Sequence, residues 1–268
     1  MKLGFSSLAA IDRPLGDLAA MLARAGYDGI ELRGKDRQHV DPAMSAAERR
    51  EVVRILSDAG LEAAAVTSYM VVAEDSADAA AAGAVLRSYL DLARDLGAPM
   101  LRVFGGRVAE GENRADVERR MADLLLSVAD EARARGVCIC LETHDSFTRA
   151  AAVARVLALA DHPAVAALWD VLNQFQTGEP PLDALDLLWP RIGYLHVKDG
   201  FTLPDGRHQL CLMGAGELPV RAILAALKQR GFGGYLVVEW EKAWHPELAD
   251  ADVAAPQHVM KLREYLAG

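Results

Sequence analysis

The sequence predicts an α/β fold, a single (β/α)8 TIM barrel, and three observations support this prediction. Short apolar or β-branched runs alternate with longer segments of helical period, as in repeated βαβ units around a parallel sheet. There are eight such runs, which is the number of strands in a closed barrel of this class. Five helical segments are followed by a glycine and then by a strand, where a left-handed helix end favours glycine: Gly26, Gly60, Gly97, Gly136 and Gly231.

The predicted elements follow one another along the chain without a break in composition. The strands are predicted at Lys2 to Phe5, Gly29 to Leu32, Glu62 to Thr67, Met100 to Phe104, Val137 to Glu142, Ala164 to Asp170, Ile192 to Val197 and Tyr235 to Trp240. The amphipathic segments between them include Pro14 to Ala25, Ala46 to Ala59, Ala79 to Leu96, Ala115 to Arg135 and Val220 to Arg230. No linker rich in proline, glycine and serine interrupts the series, so we expect one domain over residues 1–268.

An open, doubly wound sheet is the alternative to a closed barrel. Such sheets usually carry a glycine-rich nucleotide signature after the first strand. The sequence has no G-x-G-x-x-G motif at that point and no G-x-x-x-x-G-K-[ST] motif anywhere. The pair Gly105-Gly106 after the fourth strand is typical of a structural turn. The barrel is therefore the favoured prediction.

The charge and cysteine content exclude several classes of function. Lys and Arg number 29 against 38 Asp and Glu, a net charge of −9 that would repel a phosphate backbone, so we expect no nucleic-acid partner. The first residues lack the apolar core of a signal peptide, and no stretch approaches the roughly 18 apolar residues of a membrane span. Three cysteines do not make a disulfide framework. We expect a cytoplasmic protein that does not contact membranes.

Residues that bind metals end four successive predicted strands. Active sites of barrel enzymes lie at the C-terminal ends of the strands. The fifth to eighth strands end at Glu142, Asp170, His196 and Glu239. Three carboxylates this close together would repel one another unless a cation neutralised them. Oxygen ligands with a single imidazole suit one divalent ion, either Mn²⁺, Mg²⁺ or Co²⁺, with Zn²⁺ as a further option.

Side-chain alternation adds two residues to this site. Residues two apart on a strand share a face, so Lys198 and Glu241 should point the same way as His196 and Glu239. Glu241 is therefore an alternative ligand to Glu239. We rank Glu239 first because three apolar residues lead directly into it, whereas Glu241 is already followed by a loop.

At these residues the sequence resembles the xylose-isomerase-like TIM barrels, and within them the sugar phosphate isomerase/epimerase family. The resemblance covers nearly the whole chain, from Gly26 to Arg33 through Leu101 to Gly106 and on to Val237 to Glu239. The group includes ketose 3-epimerases, hydroxypyruvate isomerases, inosose dehydratases and dehydroshikimate dehydratases. These segments are specific for the superfamily and much less specific for the substrate.

The resemblance implies roles for individual residues. It implies metal ligands at Glu142, Asp170, His196 and Glu239. The first and last of these acids would be the catalytic residues, one taking a proton next to a carbonyl and the other returning it through an enediolate. Residues expected to contact the substrate or the groups behind the ligands are Glu31, Arg102, His144, Lys198 and Arg207. The family also implies a homo-oligomer.

Two departures from the family pattern weaken the case for a free-ketose epimerase. Ketose 3-epimerases usually have a histidine three residues after the metal-binding aspartate, where this chain has Asn173. They also tend to carry a second glutamate six residues after the first metal-binding one, where this chain has Thr148. We do not expect a member of the superfamily's DNA-repair branch, because that branch builds a trinuclear zinc site with many more histidines than the 7 present and because the net charge is −9.

These observations predict a metal-dependent isomerase or epimerase of a small sugar, sugar phosphate or related hydroxyketone. Two alternatives stay open. One is a metal-dependent lyase that dehydrates an inosose or a dehydroshikimate-type ring, since that reaction also begins with proton abstraction next to a carbonyl. The other is a non-catalytic barrel that binds a metabolite.

Overall fold

The eight predicted barrel strands all form, and they close into one parallel barrel. The structure is a computed structural model that describes residues 1–36, 38–203 and 208–268. The barrel strands are β1 (Lys2–Ser6), β2 (Gly29–Arg33), β3 (Glu62–Val71), β4 (Met100–Phe104), β5 (Cys138–Glu142), β6 (Val165–Asp170), β7 (Ile192–Val197) and β10 (Tyr235–Val238). Their order around the barrel is β1-β10-β7-β6-β5-β4-β3-β2. Strand β1 pairs with both β10 and β2, so the sheet has no open edge and the predicted (β/α)8 fold is confirmed.

Helices surround the barrel and connect its strands. They are α1 (Leu15–Ala25), α2 (Ala46–Asp58), α3 (Val72–Asp75), α4 (Ala79–Leu96), α5 (Arg114–Ala134), α6 (Ala150–Leu159), α7 (Val171–Phe175), α8 (Pro181–Leu188), α9 (Val220–Gln229) and α10 (Ala251–Ala267). Their ends show the expected signals. Gly26 ends α1 in the left-handed conformation with φ 95°, and Ser45 and Glu48 form a capping box at the start of α2. In the part of the chain that the structure describes, no helix is long and apolar enough to cross a membrane.

A two-stranded antiparallel sheet follows β7, in a segment for which no strand is predicted. It pairs β8 (Asp199–Thr202) with β9 (His208–Cys211). The buried carboxylate of Asp199 organises the return of the chain, because its oxygens accept hydrogen bonds from the backbone N–H groups of Gly214, Gly216 and Leu218 at 2.8, 3.1 and 3.3 Å. The sheet therefore lies beside the C-terminal ends of the barrel strands.

The apolar core has two parts. The larger part contains helix and strand residues that pack against one another, among them Leu22, Leu90, Leu125 and Val153. The smaller part includes Cys140, Leu168, Tyr194 and Val237. Each of these four lies two residues before Glu142, Asp170, His196 or Glu239 and therefore shares a face of its strand with that residue. The smaller cluster thus lies directly beneath the ends of the strands.

Candidate active site

The structure brings together the four strand-end residues on which the metal prediction rests. Glu142 and Asp170 are the last residues of β5 and β6, His196 is the penultimate residue of β7, and Glu239 directly follows β10. One ligand atom from each of the four lies within 4.8 Å of the others. All four side chains are buried. Each of the four lies two positions after a residue of the small core cluster. Residues two apart on a strand point to the same side, so all four side chains point to the side of the barrel that this cluster fills.

Asp170 is held in place by its own backbone contacts. Its Oδ1 accepts hydrogen bonds from the N–H groups of Leu172 and Asn173 at 3.1 and 2.9 Å and so caps α7. The hydroxyl of Thr143 accepts from the Asp170 N–H at 2.8 Å. Oδ2 of Asp170 faces the site and lies 2.8 Å from Lys198 Nζ. Burial raises the pKa of Asp170 to about 6, which the nearby ammonium of Lys198 only partly offsets.

His196 is oriented by a carboxylate behind it. Its Nε2 lies 2.8 Å from Oε2 of Glu31, which also accepts a hydrogen bond of 2.9 Å from the Tyr194 hydroxyl. Burial lowers the pKa of His196, but the charges of Glu239 and Glu31 outweigh it and raise the pKa well above its usual value, so the ring is protonated in the metal-free protein. Nε2 donates to Glu31, and a bound cation would replace the proton of the second nitrogen, Nδ1. It faces Glu142, Asp170 and Glu239 at 3.6, 3.9 and 3.3 Å, and no hydrogen-bond partner for it exists among the described residues. This arrangement, in which the second ring nitrogen is held by a carboxylate, is typical of metal-ligating histidines.

Arg102 keeps Glu142 ionised. Its Nη1 donates to Glu142 Oε2 at 2.9 Å, and both side chains are buried. Burial alone would raise the pKa of Glu142, but the charges of Arg102 and His196 outweigh it and hold the pKa at about 2. The guanidinium also lies 3.9 Å from the ring centre of Phe104. Because Arg102 occupies Oε2, the other oxygen of Glu142 is left to face the site.

Lys198 links the ligand cluster to Glu241. Its buried ammonium contacts oxygens of Asp170, Glu239 and Glu241 at 2.8, 2.6 and 2.5 Å. Burial disfavours the ionised form of Glu239, but His196 and Lys198 outweigh this and the pKa falls well below its usual value. Glu241 contacts Lys198 but is not a member of the four-residue cluster.

The cluster fits a divalent cation on chemical grounds. Glu31, Glu142, Asp170, Glu239 and Glu241 bring five carboxylates to the site, against the two fixed positive charges of Arg102 and Lys198. A protonated His196 adds a third positive charge, so the buried site still lacks two, which is unfavourable, and a divalent ion in place of the His196 proton would supply one of them. Ligand atoms about 2.1 Å from a common ion lie at most about 4.2 Å apart, so the set needs only a small contraction to surround one.

A small cavity of about 150 Å³ opens above the cluster. Aromatic side chains enclose it, and they are Tyr69, Phe104 and Trp244. His144 lines it too, with its ring 4.7 Å from that of Phe104. The predicted contact residues Arg102, His144 and Lys198 all border this cavity, whereas Glu31 lies behind His196 and is completely buried. The prediction for Arg207 falls outside the described residues.

Three residues that support the site are not predicted from the sequence. Tyr194 and Thr143 hold Glu31 and Asp170 through the hydrogen bonds described above, and Asp199 ties down the segment after β7. Alternation along β7 pairs Tyr194 with His196 on one face, so this signal was available for Tyr194. Thr143 and Asp199 each directly follow a strand, and a polar residue there is equally typical of a turn.

Two proteins of Escherichia coli are similar to this chain at low sequence identity. The chain is 28% identical over 118 residues to the uncharacterized protein YihM of Escherichia coli K12, a match that covers 43% of this chain and 36% of that protein. It is 21% identical over 225 residues to the fructoselysine 3-epimerase of Escherichia coli O157:H7, covering 80% of this chain and 81% of that enzyme.

Solved structures superpose over nearly the whole chain at low sequence identity. The D-psicose 3-epimerase of Clostridium cellulolyticum H10, solved with D-tagatose, gives a TM-score of 0.84 at 18% identity and covers 99% of both chains. The probable 3-DHS dehydratase AsbF of Bacillus anthracis gives 0.79 at 18% identity, covering 98% of this chain and 99% of that one. The IolI protein with a bound zinc atom gives 0.79 at 18% identity, covering 100% and 98%.

These superpositions show a shared fold, and the family is shown by the sequence itself. The model that describes the xylose isomerase-like TIM barrel family matches residues 19–263, most of the chain. The closed eight-stranded barrel agrees with this match. The chain therefore belongs to the xylose isomerase-like TIM barrel family.

Proposed function

We propose that this protein is a divalent-metal-dependent isomerase or epimerase of a small sugar, sugar phosphate or related hydroxyketone. The observation that carries the proposal is the pair of buried, ionised carboxylates of Glu142 and Glu239 within one ligand cluster. They belong to β5 and to the end of β10, which β6 and β7 separate in the barrel. The two acids thus reach the cavity from different sides.

The residues that would hold the ion are Glu142, Asp170, His196 and Glu239. When bound, a divalent cation supplies Lewis-acid polarisation of the substrate carbonyl, which acidifies the adjacent C–H bond. The geometry favours Nδ1 of His196 and Oδ2 of Asp170 as ligand atoms, because Glu31 and the start of α7 occupy their other polar atoms. Manganese, magnesium, cobalt and zinc all suit this mixed oxygen and nitrogen set.

The chain's own residues provide the proton transfer. One of Glu142 and Glu239 takes the proton from the carbon next to the carbonyl and later releases it to solvent. The other, ionised at rest, takes a proton from solvent or from a substrate hydroxyl and passes it to the enediolate. Arg102 and Lys198 hold these carboxylates ionised and in position before the substrate arrives. Return of the proton from the other side of the carbon inverts its configuration, whereas return to the neighbouring carbon gives an isomer.

The cavity suits a small polar substrate. Its walls combine the aromatic rings of Tyr69, Phe104 and Trp244 with polar groups at its base. Rings of this kind exclude water from the reacting carbons, and a drier site strengthens the electrostatic interactions within it. The relatives support a ketose, because fructoselysine and D-psicose 3-epimerases are named for ketose substrates.

A second candidate function is elimination of water from a cyclic hydroxyketone. The superposition with a probable 3-DHS dehydratase favours it. The same two acids would serve, with the enolate expelling hydroxide after proton abstraction. The two candidates differ in product, since only the lyase generates an enone or aromatic chromophore.

Exchange of the substrate α-proton with solvent tests the proposal. The manganese-loaded protein is incubated in D₂O with D-fructose, D-psicose, D-tagatose, fructoselysine and dehydroshikimate, and exchange is followed by proton NMR while absorbance reports enone formation. Glu142→Gln and Glu239→Gln should each abolish exchange, because each removes one proton carrier. Glu62→Gln is the matched control, since Glu62 belongs to β3 and pairs with Lys2 at the opposite end of the barrel. Full exchange in either site variant would refute the two-acid mechanism.

A further inference from the structure

We infer that a cleft beside the active site binds a positively charged, amine-bearing extension of the substrate. The cleft has a volume of about 530 Å³ and lies between α7, β9 and the loop after β10. This inference deepens the proposed function and rests on it, because it assigns the class of substrate that the same site would accept. It concerns the part of the substrate that does not react.

The cleft and the active-site cavity share a wall. Asn173 and Glu241 line both of them. Oε1 of Glu241 lies 2.5 Å from Lys198 Nζ, on the side of the metal-ligand cluster, and Oε2 lies 3.8 Å from Nε2 of His245 in the cleft. The inference places the reacting carbons over the cluster and requires the rest of the molecule to pass Glu241 into the cleft.

The small size of the active-site cavity indicates that part of the substrate lies outside it. Ligand pockets in proteins have volumes of roughly 300–1,000 Å³. The active-site cavity alone, at about 150 Å³, falls below this range, whereas the adjoining cleft of about 530 Å³ brings the combined site within it. The reacting part of the substrate is thus small, and a second part has room of its own.

The charge of the cleft determines which second part fits. Glu241 and Glu247 lie on either side of His245, at 3.8 and 3.2 Å from its two ring nitrogens. Among the residues that the structure describes, no lysine or arginine lines the cleft. Lys198 does not neutralise Glu241 fully, because its single charge is already shared with Asp170 and Glu239. His208 and His245 are the other titratable residues of the described lining, and the two carboxylates make this part of the cleft better suited to an ammonium group than to phosphate.

Apolar side chains in the cleft suit the aliphatic part of such an extension. Leu172, Leu210 and Leu248 also line the cleft. A flexible aliphatic chain can bury its methylene groups against these leucines while its terminal ammonium reaches the carboxylates at the rim. Glu247 is the acid most accessible to such a group, with 65% of its side chain exposed. A ketose that carries an aliphatic amine combines both features.

Isothermal titration of the manganese-loaded protein tests the inference with three probes. They are D-fructose, 1-deoxy-1-(5-aminopentylamino)-D-fructose and the same compound acetylated on its terminal nitrogen. We expect the free amine to bind roughly two- to fivefold more tightly than its acetylated form, since only the free amine carries a terminal charge. Glu247→Lys should abolish this difference and leave the affinity for D-fructose unchanged. Asp123→Lys on α5 changes the net charge equally and should preserve the difference.

The outcomes separate this inference from the proposed function. Equal affinities for the two aminopentyl probes, no binding of either, or an unchanged ratio in Glu247→Lys would overturn the cleft assignment. Exchange of the D-fructose α-proton, measured in parallel, reports on the proposed function alone. Preference for the free amine without such exchange would support the cleft and contradict the reaction. Exchange of the D-fructose α-proton without a preference for the free amine would support the reaction and contradict the cleft assignment.

Discussion

Replacement of Glu31 by glutamine should weaken metal binding although Glu31 does not face the ligand cluster. Its Oε2 accepts hydrogen bonds from His196 and Tyr194, and the side chain is completely buried. The glutamine has nearly the same shape but no negative charge. It can therefore fill the space of Glu31 without holding the imidazole as strongly in the orientation that presents Nδ1.

The size of the effect follows from what the carboxylate does. A hydrogen bond to a charged group contributes about 1.5–3 kcal/mol, and an amide oxygen recovers roughly half of that. Loss of a partner behind a metal-binding histidine typically costs about 10–100-fold in metal affinity. We expect the affinity of Glu31→Gln for manganese or zinc to fall within this range. Tyr194→Phe should cost less, because Glu31 and His196 keep their contact.

Competition with a fluorescent chelator measures this affinity directly on metal-free protein. The matched control is Glu62→Gln, because Glu62 also accepts a hydrogen bond from a tyrosine hydroxyl, that of Tyr235 at 2.6 Å. This pair lies at the opposite end of the barrel, so its loss should leave metal affinity unchanged. Circular dichroism must show that each variant is folded. A folded Glu31→Gln protein with wild-type affinity would refute the argument that Glu31 orients His196.

The remaining predictions concern stability. Arg102→Met should lower the free energy of unfolding by about 3–5 kcal/mol in the metal-free protein, because it leaves the buried Glu142 carboxylate without its partner. Gly216→Ala should destabilise by more than about 2 kcal/mol, since its Cβ would lie 2.2 Å from a carboxylate oxygen, whereas Gly16→Ala, with no atom within 4 Å, should stabilise slightly. Burial lowers the pKa of His258 from 6.5 to about 4, so the unfolded chain binds the proton first as the pH falls. Stability should then drop by about 3 kcal/mol between pH 6.5 and pH 4, a slope that His258→Gln should remove.

Denaturant unfolding monitored by circular dichroism checks all three predictions. An Arg102→Met protein as stable as the wild type would show that the buried ion pair contributes nothing. Equal effects of Gly216→Ala and Gly16→Ala would contradict the close approach at Gly216. For His258 the measurement is the difference between wild type and variant across the pH range, because other groups titrate in both proteins. A slope that persists in His258→Gln would have to come from those groups.

The barrel could be predicted from the sequence because its strands are continuous apolar runs. Such runs are buried on both faces in a parallel sheet, and each polar residue that ends one marks the edge of the core. This reasoning located Glu142, Asp170, His196 and Glu239, which the structure brings within 4.8 Å of one another. It did so without any information on distances between strands.

The contacts that support these residues could not be predicted. Glu31 and His196 are 165 positions apart, and no local pattern indicates that one would lie behind the other. Strands β8 and β9 have only 4 residues each, too short for alternation to distinguish them from a loop. The third strand extends to Val71, beyond the predicted Thr67, and the last ends at Val238 rather than Trp240. Strand ends depend on pairing with neighbours, which the local sequence does not encode.

Metal content tests the central claim most directly. The protein is reconstituted with manganese, freed of excess ion and measured by elemental analysis beside Asp170→Asn and Glu239→Gln, with Glu62→Gln as the control. The account predicts about one divalent ion per chain in the wild type and the control, and loss of most of it in both site variants. Absence of a bound ion in the wild type, or equal amounts in all four proteins, would contradict it.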